Sequence, residues 1–420
     1  MAGFRSLIWW GTHRLVHSGG RMDTSDIRAM TSSATQSCIV RGPSVPRVPS
    51  VSVIILVTAS TELLRECLNA LRQPGCRVES MEIVIVANGT SEVQLEYLRS
   101  CDDIVLVVNE INLGFASGCN QAASVAQGPL LLFLNDDSIV QDGCIEALMR
   151  ACKSDRAIGA VGSRIVLPDG TLQEAGSLIW RDGSATHVGE GTPSDSGQYL
   201  HPRWVDYASA NGLLIPRAVW DEVGGFDERY FPAYFEDVDF SLSLGSRGYG
   251  TRYEPTAVLV HRGSQSTSTV YRDFLLSRNH FRFVEKWGQT LDRFDPAPAK
   301  DSGSEFDAAV GRAVARGRNS PSLSSGSQAT TTKRWDAPSF DPRKAAEELQ
   351  ADYRRYLENR VAVGDQRILS LEEYLRTLWG VRFRRWLAGR IVRIRNGVGI
   401  RTPASTGDAA RSGRERPKSA

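Results

Sequence analysis

Four short apolar runs, separated by helix-length spacers, constrain this chain more than anything else in it. Val53-Ile54-Ile55-Leu56-Val57, residues 82–88, residues 104–109 and Leu130-Leu131-Leu132-Phe133-Leu134 all have strand length. Residues 62–72 place Leu63, Leu64, Cys67, Leu68 and Leu71 at helical spacing, and residues 91–99 and 118–126 also read as helices. Strand and helix alternating in this way predict βαβ units and a parallel sheet. Runs that are apolar throughout predict helices on both faces of that sheet. Ligands of such sheets gather at the carboxyl ends of the strands, which says where chemistry should be sought.

Beyond residue 157 the pattern becomes mixed and loop-rich. Residues 157–166, 206–215 and 252–261 read as strands, and 218–223, 236–247 and 274–287 as helices. Pro168-Asp169-Gly170 and Asp182-Gly183 mark turns. This second half is expected to build an acceptor pocket. Flanking regions differ in composition. Residues 1–48 are rich in Ser, Thr, Gly and Pro and are expected to be a disordered extension, with Met22 or Met30 as alternative starts. A domain over 49–295, a Ser/Gly/Ala/Pro-rich linker over 296–335 with one short helix near 305–316, a helical basic tail over 336–400 and a disordered end over 401–420 complete the division.

The 50 basic and 48 acidic residues nearly cancel, which disfavours a globally basic nucleic-acid binder. The excess charge sits at the ends: 371–401 holds eight Arg against two Glu. There Leu375, Trp379, Phe383, Trp386, Leu387, Ile391 and Ile394 fall near one helical face flanked by arginines. That pattern suits either an anionic membrane interface or docking on the catalytic domain. No run reaches the roughly 18 apolar residues of a membrane span. The seven cysteines show no C-x-x-C pair, so core packing in a reducing cytosol is expected, with peripheral attachment at the inner face of the cell membrane as an addition.

Four features carry candidate chemistry. Asn135-Asp136-Asp137 follows the fourth strand directly. Two carboxylates at a buried strand end are costly unless they bind something, and a hard divalent cation bridging to phosphate oxygens is the natural partner. The plainer alternative is that they cap a helix over 142–151. In Phe-Pro-Ala-Tyr-Phe-Glu-Asp-Val-Asp, residues 231–239, three acids open a helix, either to complement its dipole or to place one carboxylate as a general base. His261 closes a strand and is either an ordinary residue or a ligand. Residues 112–120, Asn-Leu-Gly-Phe-Ala-Ser-Gly-Cys-Asn, have the glycines and asparagines for close approach of a ligand at a helix start, yet match neither common phosphate-loop pattern.

In order along residues 51–288, these segments resemble the bacterial family 2 glycosyltransferases of the GT-A fold, in their rhamnosyltransferase-like branch. The matching stretches also include 168–176, 223–227, 230–239, 253–261 and Ser277-Arg278-Asn279 ahead of Lys286-Trp287. The resemblance implies a Rossmann-like, mostly parallel α/β sheet flanked by helices, with a mixed acceptor-side half and a helical C-terminal extension. It implies that Asp137 and His261 hold Mg²⁺ or Mn²⁺ and that Asp136 lies near the donor ribose. Asn88, Asn112, Gly114 and Asn120 then belong to the nucleotide site. Asp237 becomes the general base, with Glu236 as an acceptor or orienting contact. The implied reaction is inverting transfer of a sugar, with rhamnose the branch's suggestion, from a nucleoside diphosphate to a glycan or lipid-linked acceptor in cell-surface polysaccharide synthesis.

Two departures qualify the match. The family usually has an Asp that reads the nucleobase where this chain has Ala87, and Ser-Gly-Ala where it has Ser209-Ala210-Asn211-Gly212. They keep open a catalytically silent scaffold that binds nucleotide-sugar or glycan. A sugar-1-phosphate nucleotidyltransferase would need a Gly-rich basic loop after the first strand, and Thr58-Ala59-Ser60-Thr61 is not one.

Overall fold

A computed structural model describes residues 30–32, 35–57, 60–263, 269–298, 307–308, 310–312 and 340–362. The four apolar runs form β3 (Val51–Val57), β4 (Met81–Asn88), β5 (Ile104–Asn109) and β6 (Leu130–Asn135), buried almost throughout. They pair in parallel in the order β5-β4-β3-β6. Side chains alternate across a strand, so each run feeds two cores. On one face Val53, Ile55, Ile83, Ile85 and Leu132 pack on Leu64, Leu68 and Leu71 of α1 (Thr61–Arg72), on Leu98 of α2 (Glu92–Arg99) and on Leu148 of α4 (Cys144–Lys153). On the other, Ile54, Leu56, Val84 and Phe133 meet Ala116, Cys119 and Ala122 of α3 (Phe115–Val125). Burial on both faces is why the runs lack polar alternation.

Past β6 the sheet turns mixed. β13 (Leu213–Pro216) lies antiparallel between β6 and β8 (Ile158–Val166), and β14 (Gly250–His261) runs parallel to β8. Short β7 (Ser138–Val140) and β9 (Leu172–Glu174) pair antiparallel with β14 and β8. β12 (Arg203–Val205) closes that edge, and β10 (Ser177–Ile179) and β11 (Ala185–His187) form a separate hairpin. The α/β fold class read from the sequence is thus the observed one: a mixed sheet with a parallel centre, flanked by helices.

The structure corrects two expectations. The strand expected over 206–215 is confined to its end, because residues 206–212 form a loop. Gly212 sits at φ +83°, with Ser163 and Leu259 where a side chain would go. The span 1–48 is not structureless throughout. β1 (Met30–Ser32) pairs with β2 (Thr35–Arg41), and β2 adds antiparallel to the exposed edge of β5. An edge strand offers unpaired backbone groups, and Glu82, wholly buried, needs a cation, which Arg41 supplies at 3.0 Å. Neither demand is visible in the local composition.

Two helices, α5 (Arg217–Val223) and α6 (Glu236–Gly245), precede β14. The long α7 (Thr269–Leu291) follows it, and α8 (Pro342–Ala362) docks on α7. Tyr353, Leu349 and Leu357 pack there with Phe274, Leu275 and Phe231, while Arg278 bonds Asp352 at 3.0 Å. Among the described residues no helix is long and apolar enough to cross a membrane. Residues 371–400, with their basic face, and 401–420 lie outside the described residues, as does most of 296–335.

Candidate active site

The acids at the tip of β6 do not cap the helix after them. α4 begins at Gly143, which has no side-chain cap bond. Asp136 and Asp137 are instead each 2% exposed, so their charges turn inward. β7 pairs with the end of β14 in a register that sets His261 opposite Ser138, and the Arg262 amide bonds the Asp137 carbonyl at 3.0 Å. This brings His261 Nε2 to 3.1 Å from Asp137 Oδ1. The other ring nitrogen, Nδ1, lies 2.6 Å from Gln173 Oε1. An amide oxygen only accepts, so Nδ1 carries a proton and Nε2 is the nitrogen that faces the carboxylate.

Two lone-pair donors at that distance repel unless a cation or a proton lies between them. A 3.1 Å gap is what neighbouring ligand atoms show around an octahedral ion with bonds of about 2.1 Å. The donor set, one carboxylate and one imidazole held by an outer amide, therefore fits a divalent cation that keeps places for phosphate oxygens and water. Below it, burial and the charges of Asp136 and Asp137 push the Cys67 thiol up, away from reactivity.

The acids opening α6 have three different destinations. Asp239 accepts from Tyr230, Lys286 and Trp287, so it is structural. Glu236 is 5% exposed, and its Oε2 has no hydrogen-bond partner. Burial, then the Asp237 charge, holds its carboxyl well above the ordinary range, and it lies close enough to Cys119 of α3 to raise that thiol. Asp237 accepts from Val238 N at 2.8 Å and Ala210 N at 3.2 Å. Burial raises its proton affinity and these two amides offset part of the rise. A carboxylate held by fixed donors yet pushed up by burial is what a general base at neutral pH requires.

Metal side and base side are joined by two pairs of adjacent residues. Ala210 bonds Asp237, and its neighbour Asn211 accepts through Oδ1 from Asn135 N at 3.1 Å and Ser138 Oγ at 2.8 Å, on either side of the acid pair. Gln173 bonds His261, and its neighbour Glu174 accepts from Ser209 N at 3.0 Å. Consecutive Cα atoms are about 3.8 Å apart, so the Asp137–His261 pair and Asp237 are connected through neighbouring residues. Gln173, Glu174 and Asn211 were not singled out in the sequence. The available signal was their place inside stretches 168–176 and 209–212.

The expected nucleotide residues behave differently. Asn88 is a hub: its Nδ2 donates to Asn112 Oδ1 and the Gly114 carbonyl, and its Oδ1 accepts from Asn109 and the Leu113 amide. Asn112 also accepts from Gly114 N. Together they shape the turn into α3. Both amide hydrogens of Asn120 go to the Phe226 carbonyl and Glu228, and its oxygen takes the Phe226 amide, so it braces that loop. At Gly114 a φ of +81° and the nearby Phe231 ring require glycine, and the first amide of α3, Phe115 N, is taken by the Pro232 carbonyl at 2.7 Å. A helix start occupied by a carbonyl does not offer that amide to phosphate.

The loop that delivers this carbonyl, 231–235, ends in two residues with left-handed backbones, Tyr234 at φ +78° and Phe235 at φ +77°. It is held by fully buried Asn279, whose Nδ2 lies within 3.0 Å of the carbonyls of Tyr230, Ala233 and Tyr234. Left-handed non-glycine residues immediately before Glu236 and Asp237 mark a strained segment.

With that geometry in place, the comparisons with known proteins fall into line. Residues 52–203 match the glycosyl transferase family 2. The chain is 30% identical over 248 residues to the O-antigen biosynthesis protein RfbC of Myxococcus xanthus, covering 56% of this chain and 19% of that one. It is 29% identical over 211 residues to N-acetylglucosaminyl-diphospho-decaprenol L-rhamnosyltransferase of Mycobacterium tuberculosis, covering 44% of this chain and 68% of that one. This chain thus spans a fifth of the first relative's length and two thirds of the second's. A solved structure of GalNAc-T7 with UDP, GalNAc and Mn²⁺ overlaps 57% of this chain and 48% of its own at 17% identity, with a TM-score of 0.47, too little for inference.

Proposed function

We propose that this chain is an inverting, metal-dependent glycosyltransferase acting on a nucleoside-diphosphate sugar. One observation carries the reading: two pairs of adjacent residues, Ala210-Asn211 and Gln173-Glu174, tie the Asp137–His261 pair to Asp237. In this reading Asp237 takes the proton from an acceptor hydroxyl. The hydroxyl oxygen forms a bond to the anomeric carbon while the bond to the diphosphate oxygen breaks, and the nucleoside diphosphate leaves with the electron pair. Attack from the face opposite the leaving group inverts the anomeric centre. Mg²⁺ or Mn²⁺ held by Asp137 and His261 would supply charge neutralisation at the diphosphate. Asp136 then lies beside the donor, and Glu236, kept uncharged by burial, orients the acceptor or the sugar by donating a hydrogen bond.

The finer assignments rest on relatives. The mycobacterial relative's name specifies rhamnose transfer to N-acetylglucosaminyl-diphospho-decaprenol, and the Myxococcus relative's name specifies O-antigen synthesis. By that likeness we infer a rhamnosyl donor, a lipid-linked saccharide acceptor and a role in cell-surface polysaccharide. Attachment to an anionic membrane through 371–400 would suit such an acceptor. Ala87, wholly buried at the end of β4, leaves base selection to other groups. The test is a screen of UDP-, GDP- and dTDP-sugars with Mn²⁺, reading release of nucleoside diphosphate. Turnover of one of them, lost in Asp237→Asn, supports the enzyme. Binding without turnover in the wild type would leave only the silent scaffold.

A further inference from the structure

Glu174, on β9, is 1% exposed. Its Oε1 accepts from the Ser209 amide, and the very next amide, Ala210, bonds Asp237 Oδ2. A buried and a half-buried carboxylate from different elements thus hold consecutive amides of one segment. Glu174 Oε2 has no hydrogen-bond partner. It lies 3.4 Å from His187 Nδ1 on β11, and that nitrogen is 2.8 Å from Ser177 Oγ. The β10–β11 hairpin therefore brings an imidazole against a buried acid that itself lies beside the base. The Ser209 amide needs an acceptor, not a charge.

We propose that Glu174 and His187 form an acid–imidazole pair that serves transfer through Asp237, Glu174 as a positioning residue that strengthens the base and His187 as the neighbour that offsets its charge. The inference rests on the reading of Asp237 as base. The groups facing Asp237 are Glu174 from β9, His187 from β11, Tyr207 from the loop before β13, and Glu236 from its own helix. Tyr207 is uncharged, since burial and then Glu174 and Asp237 push its hydroxyl well up. Glu174 and His187 are therefore the ionisable neighbours on other elements that act on Asp237. They act in opposite directions: Glu174 raises its proton affinity, and His187, once protonated, lowers it.

Glu174→Gln keeps an acceptor for Ser209 and removes only the charge. The acid limb of kcat/KM against pH belongs to the base. With the nucleotide-sugar that the wild-type chain turns over in Mn²⁺, Glu174→Gln should move this limb down by roughly half to one pH unit. The plateau should fall because a weaker base transfers the proton less well. His187→Gln should move the limb up. A lowered rate with an unmoved limb in Glu174→Gln would mean a merely structural role and overturn the proposal. Should that variant fail to fold, His187→Gln decides alone, and an unmoved or falling limb overturns it. Asp237→Asn, run in parallel, separates the two readings: wild-type turnover there removes the base assignment, whereas a dead Asp237→Asn with unmoved limbs removes only this pair.

Discussion

Gln173 bonds His261 while Glu174, the next residue, bonds the segment that holds Asp237. Successive residues of a strand point to opposite faces, so one three-residue strand serves both halves of the site. A shift of β9 relative to β8 would disturb the ion-binding pair and the base together. The same holds for Ala210 and Asn211, which bond Asp237 and Asn135. The Asp137–His261 pair and Asp237 are thus tied together by side-chain bonds from neighbouring residues.

The most direct consequence concerns Asp237. Asp237→Asn keeps an oxygen for the Ala210 amide but cannot take a proton. Loss of a positioned base costs roughly 10²–10⁴ in rate. Transfer should fall by that factor while Mn²⁺-dependent nucleotide binding, followed by calorimetry, stays near wild type. Full activity in the variant would remove the proposed mechanism.

On the other side, Asp137→Ala should abolish the Mn²⁺ dependence of nucleoside diphosphate binding. Gln173→Ala touches no ion itself but releases His261 Nδ1. Outer partners of ligating histidines are worth about 10–100-fold in metal affinity. Titrating UDP, GDP and dTDP with and without Mn²⁺ measures both effects. Equal affinity for Mn²⁺ in Gln173→Ala and wild type would show that His261 is not a ligand.

Glu236 gives a pH signature in stability. Burial raises its proton affinity, and Asp237 and Asp239 shift the same way, also chiefly by burial. An acid whose folded pKa exceeds its unfolded one binds more protons when folded, so stability falls as pH rises through the folded value. Asp227 acts oppositely: burial resists, but Arg229 and Lys286 bring it down to about 2. Its contribution is present above its unfolded pKa near 3.8 and is lost as pH falls through about 2. Thermal unfolding scans should therefore show the wild-type midpoint declining from mildly acidic to mildly alkaline pH. Glu236→Gln should flatten that decline and raise the midpoint at pH 8, and a parallel curve for the variant would contradict the burial argument.

Much of this was legible in the sequence, for identifiable reasons. The parallel centre showed itself because β3, β4 and β6 are buried on both faces and so apolar throughout. Asp137 stood out because paired acids at a buried strand end are expensive, whereas Asp237 and His261 received their roles only from the family resemblance. Gln173, Glu174 and His187 did not stand out, since each is polar in a loop-rich stretch and acquires its role only when distant elements pair, and Asn279 entered only as part of the stretch 277–279. The Gly/Asn-rich turn into α3 showed its sharp backbone in the sequence but not its partners, since the 226–232 segment bonds Asn120 and the Phe115 amide from more than a hundred residues away. β2 was missed because its partners, the β5 edge and Glu82, lie more than forty residues away.

Asn279 permits the sharpest separation of structure from chemistry. Its amide holds three carbonyls of the 230–234 segment, and Arg278 adds a bond to the Phe231 carbonyl at 2.9 Å. Left-handed Tyr234 and Phe235 cost on the order of 1–3 kcal/mol each, so the segment keeps its shape only while these bonds constrain it. Asn279→Ala leaves buried carbonyls without a donor, at roughly 1–3 kcal/mol for each one unsatisfied. The unfolding midpoint should fall by several degrees. Because α6 begins where the segment ends, Glu236 and Asp237 should lose their placement, while Asp137 and His261, held by β6, β7 and β14, should not. The expected result is therefore a kcat reduced at least tenfold below the melting transition, with Mn²⁺-dependent nucleotide affinity within a few-fold of wild type. Asn279→Asp, which sets an acceptor against those carbonyls, should be worse on both stability and kcat. A less stable Asn279→Ala with wild-type kcat would show that the strained segment serves folding and not the alignment of the base.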